Sequence, residues 1–210
     1  MGYDMYINAE LTEAEALAKD AAEQLRNDAV KARDALPAER RNTPEWEAAQ
    51  QKVMDAFDHA STFDLNYFRL NIWGMGRCRG YMEERGMIYH TSSADAGEWP
   101  DYEEPEQAEG EDTDAWYARI DEYDEAHSQR TAPLRSFHPE GGDTIPSHKF
   151  GSNDGWLVTE DECKAAATVN ALADPPTFMD EDGETKPVEW WPEWIAFLER
   201  AATHGGFRVH

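Results

Sequence analysis

The chain has 210 residues, enough for one domain with a sizeable core, and its eight Trp, eight Tyr and eight Phe supply the apolar surface that such a core needs. Forty-four acidic residues against nineteen Lys and Arg give a formal charge of −25. That field repels DNA, RNA and anionic membrane, so direct nucleic-acid binding is not expected, and it favours solubility and a basic protein partner.

Tyr3, Met5 and Ile7 alternate with polar neighbours, the period of a half-buried strand. Thr12 and Glu15 form a capping box, and Leu17, Ala21, Leu25, Ala29 and Leu36 mark a long amphipathic helix that ends at Pro37. Thr43-Pro44 opens a second helix with Trp46, Ala49, Val53, Phe57 and Ala60 on its apolar face, so the two read as an antiparallel hairpin. Between Leu65 and Trp73 the apolar residues fit both periods, and the spacing is read as helical. Met75, Cys78 and Met82 carry a helical stripe onward until Gly86 ends it.

From Asp95 to Glu125, fourteen Asp or Glu stand against the single cation Arg119, a local charge of −13. The first half of this stretch, with two prolines and little to bury, reads as loop or disorder. Thr113 is expected to cap a short helix bearing Trp116, Ile120 and Tyr123, and residues 128–146 to return as loop. The whole is expected to be one α+β domain over 1–210, with an acidic insertion at about 91–146.

The stretch from Ser147 to Ala167 commits most clearly to a shape. Asn153-Asp154-Gly155 supplies turn chemistry, Trp156, Leu157 and Val158 a short buried strand, and Thr159 with Glu162 a capping box worth roughly 1 kcal/mol, so a 148–158 β-hairpin feeding a helix is expected. A second acidic loop follows. Trp190, Trp191, Trp194, Leu198 and Ala201 then lie at helical spacing, and Phe207 and Val209 alternate as a terminal strand. The fold expected is a small, mostly antiparallel sheet of both termini and the hairpin, packed with several helices.

Four segments, GYDMYI, YFRLNIWGMGRCR, KFGSNDGWLVT and EWIAFLERAATHGGF, resemble a group of uncharacterised proteins of actinobacteria and their bacteriophages. The resemblance covers about a third of the chain. It implies a phage or prophage setting rather than an activity.

The phosphate-binding GxxxxGK[ST], HExxH, GxSxG and CxxC signatures are absent. Cys78 and Cys163 sit in separate predicted helices without metal spacing, which points to free, buried thiols in a reducing cytoplasm. The opening MGYDMYINAE has neither a basic n-region nor an apolar h-region, and no run approaches the roughly 18 apolar residues of a membrane span, so a protein of the bacterial host cytoplasm without membrane contact is expected. Asp55 with His59, the group His138, Glu140, Asp143 and His148, and Asp180, Asp182 and Glu184 around Gly183 have the chemistry of metal ligands but not the spacing of a known site. Neither a metal nor a cofactor is expected.

Two functions are therefore carried forward. In the first, the chain is a non-enzymatic accessory protein that binds a basic partner through its acidic surface, with Glu103, Glu104, Glu106, Glu109, Glu111 and Asp112 in contact. Its special form is mimicry of nucleic acid against a host defence protein. In the second, Arg69, Asn71, Arg77 and Arg79 join His148, Lys149, Asn153 and Asp154 to bind, or act on, a small phosphorylated ligand.

Overall fold

The structure is a computed structural model that describes residues 2–210. Strand β1 (Gly2–Tyr6) is followed by helices α1 (Glu13–Asp34) and α2 (Pro44–Ser61), strand β2 (Tyr67–Asn71) and helix α3 (Ile72–Glu84). After β3 (Ile88–Tyr89) come α4 (Thr113–Arg135), β4 (Ile145–Pro146), β5 (Trp156–Val158) and α5 (Glu160–Asn170). The hairpin β6 (Thr177–Met179) and β7 (Thr185–Pro187), helix α6 (Trp191–Ala201) and β8 (Phe207–Val209) complete the chain.

An antiparallel sheet in the order β2-β1-β8-β5 joins both termini to the centre of the sequence. Its register aligns Phe68, Met5, Val209 and Trp156 in one row, so these side chains share the inner face. That face packs on α3, α5 and α6, which bury Met75, Cys78 and Met82, Cys163 and Ala166, and Trp191, Trp194, Phe197 and Leu198. Each large side chain so buried contributes roughly 1.5–3 kcal/mol, and α6 is the largest single anchor. Gly206 is required where α6 turns into β8: its φ is +83°, and a Cβ there would lie 2.0 Å from the Val158 carbonyl.

The expected α+β class, with a mostly antiparallel sheet containing both terminal strands, is the one observed. The capping boxes at Thr12 and Thr159 form as read, and Thr43 caps α2. Glu15 does more than cap: its carboxylate also takes the Arg200 guanidinium at 2.7 Å, which ties the start of α1 to α6 and holds Glu15 at about 2, below the ordinary carboxylate value. Leu17 and Leu25, expected on the packed face of α1, are exposed, and Ala22 is the residue buried against α2.

Three expectations are corrected. Residues 67–71 form a strand rather than helix, because β1 supplies a pairing partner for the alternation of Phe68 and Leu70. No hairpin precedes β5: Ser147–Phe150 is a 3₁₀ turn closed by Gly151 N–H to the His148 carbonyl, and β5 pairs with β8 instead. The helix expected to be short runs on to Arg135, through Pro133, with Thr131 buried near its end and the Arg135 guanidinium beside Gly155 just before β5. Its cap is Asp112, which accepts from the Asp114 and Ala115 amides.

Residues 97–135 form an arm, an irregular segment folded back on α4. The Trp116 indole donates to the Pro105 carbonyl at 2.8 Å, and the Tyr102 hydroxyl donates to Asp124 at 2.8 Å. The Glu103 amide donates to the Tyr123 hydroxyl. At its root Trp99 meets Trp156 edge-on with ring centroids 5.1 Å apart, so the start of the arm is fastened to the core.

Candidate functional site

Among the second set of candidates, the structure brings together Arg69, Asn71 and Arg77. They line an open groove of about 810 Å³ beside β2, with Trp73 and Gly74 of α3, Trp190 and Glu193 at the start of α6, and Asp64 after α2. Local rules put them there. The alternation Tyr67, Arg69, Asn71 sends these three to the outer face of the sheet, opposite the buried Leu70. Asn71 then caps α3 by accepting from the Gly74 amide at 2.7 Å, and this turn directs Trp73 and Arg77 along the groove wall.

Trp73 is 83% exposed. Arg69 reaches Asp4 only at 3.5 Å, while no carboxylate lies within salt-bridge distance of Arg77 among the described residues. Asp64 is neutralised by Lys19 at 2.7 Å. The Tyr67 hydroxyl donates to Asp4, and burial followed by that carboxylate pushes its pKa up to about 12. The groove therefore offers a guanidinium and an indole at one end and Glu193 toward the other.

The remaining five ligand candidates lie elsewhere. Arg79 is half-buried and turns toward the Phe150 carbonyl at 3.5 Å. Asn153 donates to the Gly2 carbonyl at 2.7 Å, and Asp154 accepts from Ser152, so both serve the loop before β5. His148 and Lys149 are buried in the core. The Lys149 ammonium donates to both oxygens of Glu162, at 2.6 and 2.8 Å, and to the Leu157 carbonyl at 2.7 Å. Glu162 also accepts from the Thr159 amide and from His138 Nδ1 at 2.6 Å, so every lone pair of this buried carboxylate is used. Burial pushes the Lys149 pKa down, against the Glu162 charge that raises it.

His148 stacks edge-on against Trp156 at 4.7 Å and meets the Thr91 hydroxyl through Nδ1 at 2.8 Å. Its Nε2 has no hydrogen-bond partner among the described residues. Burial, then the neighbouring Lys149, lowers its pKa to about 4. Of the possible metal ligands, His138 and His148 are thus engaged with Glu162 and Thr91, and Asp180 closes the β6–β7 turn by accepting from the Asp182 and Glu184 amides. Among the described residues no three His, Cys, Asp or Glu side chains gather as a metal site. Both cysteines are free and buried, and burial raises their thiol pKa values.

The acidic candidates are all on the arm but not alike. Glu103, Glu104, Glu106 and Glu109 project into solvent. Glu111 is half-buried, pairs with Arg119 at 2.8 Å, and has its pKa lowered first by that bond. Asp112 is occupied as the α4 cap. Sequence reasoning passed over the second use of Glu162, whose capping role was visible but whose buried partner lies thirteen residues back, and over Glu193 and Trp190 as groove walls. The strand period of Tyr67, Arg69 and Asn71 was the signal that could have located the groove.

No family model matches this chain, and no curated protein or solved structure matches it either. No helix among the described residues is long and apolar enough to cross a membrane.

Proposed function

We propose that the chain is a non-enzymatic binding protein whose arm meets a basic surface on a protein partner. The observation that carries this reading is the pairing state of the arm. Of the fourteen carboxylates between Asp95 and Glu125, Glu111 alone has a cationic partner among the described residues. Like charges held this close on one helix and its preceding segment repel one another in the free protein, and a basic partner relieves that repulsion as it docks. Charge of this kind chiefly speeds encounter and selects the partner. Exposed Tyr102 and Tyr117 stand among these carboxylates and supply apolar contact. In the phage setting that the resemblance implies, a host protein that normally holds nucleic acid fits the chemistry, because spaced carboxylates stand in for phosphates.

The test uses the full chain. Glu103, Glu104, Glu106 and Glu109 are changed together to Gln, leaving Glu111 and Asp112 because they hold Arg119 and the α4 cap. Wild-type protein immobilised with host extract is expected to retain a basic protein at about 50 mM salt and release it at about 500 mM. The fourfold variant is expected to retain little. Equal retention by both, or a partner of acidic character, would sink the proposal.

A further inference from the structure

We infer that the free edge of β2 is a docking site for an extended segment of a partner protein, which joins the sheet as a fifth strand and presents a carboxylate to Arg77. This goes beyond the acidic arm and does not depend on it. The backbone register decides where the unpaired groups point. The Asp4 amide donates to the His210 carbonyl at 2.6 Å and the His210 amide to the Asp4 carbonyl at 2.7 Å, so Asp4 and Tyr6 spend their backbone groups on β8. Tyr3, Met5 and Ile7 consequently face β2, as the Ile7 amide does in donating to the Asn66 carbonyl at 2.9 Å. Their partners Leu70 and Phe68 are used in return. The amide and carbonyl of Arg69, the carbonyl of Tyr67 and the amide of Asn71 are left pointing outward, on a strand with no neighbour on that side among the described residues.

An uncovered row of this kind is what strand addition uses. The groove of about 810 Å³ runs beside this edge, lined by Arg69, Asn71 and Arg77. The occupant's charge follows from the groove walls. In a protein with forty-four carboxylates to nineteen Lys and Arg, Arg77 has no carboxylate within pairing distance among the described residues, and it stands with Arg69 and the exposed Trp73 at the Asn71 end. Glu193 lies toward the Tyr67 end, where the groove continues past Phe197 and Arg200. A carboxylate on the incoming strand near Asn71, and a basic or neutral residue near Glu193, complements both. A second copy of this chain does not: it would bring two molecules of −25 together and set Arg69 of each copy side by side.

The probe is a displayed library of random decapeptides, selected on the full-length wild-type protein and synthesised singly. Selected peptides are expected to carry Asp or Glu, to slow hydrogen exchange of the Arg69 amide, and to lose binding when alternate peptide nitrogens are methylated. Arg77→Glu is expected to weaken binding at least about tenfold. Arg69→Pro removes the outward amide at a position where an edge strand tolerates proline, and should abolish binding, while Arg69→Ala keeps the greater part. Should the proline variant unfold, the methylated peptides still decide. Four arm Gln substitutions should leave peptide affinity unchanged, which separates this site from the arm. The inference is overturned if no peptide is selected, if binding leaves Arg69 exchange untouched, or if sedimentation shows the chain itself dimerising through β2.

Discussion

Glu162 in the body and the carboxylates of the arm sit in opposite circumstances. Glu162 is 3% exposed and meets an ammonium, an imidazole and a backbone amide. Of the thirteen carboxylates on the arm, Glu111 alone is paired with a cation among the described residues. The reason is solvation. A buried charge without partners costs several kcal/mol, so the core admits one only with its bonds complete, whereas water screens an exposed one and leaves it free for another molecule. Aromatic residues divide the same way: in the body Trp156, Trp194 and Phe207 are enclosed, while on the arm Tyr102 and Tyr117 stay half open to solvent.

The largest effects should follow from breaking the body's side of this contrast. Lys149→Met strands the Glu162 charge and is expected to destabilise the fold by roughly 3–5 kcal/mol in urea unfolding. Adding Glu162→Gln should recover part of the loss, since it removes the stranded charge. Trp156→Ala should lose roughly 3–5 kcal/mol, and Trp99→Ala, half-buried against it, about 1–2 kcal/mol. If Trp99→Ala has no effect, the arm is not fastened to the core there.

A smaller effect depends on pH. His148 is held neutral in the fold, with a pKa near 4, while in the unfolded chain it takes up a proton near 6.5. Its contribution is complete above about pH 6.5 and is lost as pH falls toward 4, by up to about 3 kcal/mol. The stability difference between wild type and His148→Gln should therefore shrink across that window and stay level above it. A difference independent of pH would mean that the ring is reached by solvent.

Local signals were readable in the sequence. Thr12 with Glu15, Thr43 before Pro44, and Thr159 with Glu162 each announce a helix start through bonds that span three residues. What depended on distant partners was not readable. The alternation at Phe68 and Leu70 becomes a strand only because β1, more than sixty residues earlier, lies beside it. His148 and Lys149 read as pocket-lining ligand groups, yet Thr91, Glu162 and the Trp156 ring enclose them in the core. For the candidate site the residue types were visible, but Arg79 falls on the far side of α3 from Arg77, a division that a cluster in sequence does not reveal. The arm's charge was plain throughout. Its order was not, because Trp116 and Tyr102 find their partners across a turn of irregular chain.

The smallest change in stability should accompany the largest change in binding. Glu103, Glu104, Glu106 and Glu109 replaced by Gln are expected to leave the urea midpoint within about 0.5 kcal/mol of wild type. The direct measurement is the association rate of the purified chain with its captured basic partner as salt rises from about 50 to 500 mM, over which the screening length contracts from roughly 14 to 4 Å. Free arm carboxylates predict a steep fall in association rate with salt for the wild type, a shallow one for the fourfold variant, and dissociation rates that differ little. Association that ignores both salt and the four substitutions would contradict the account.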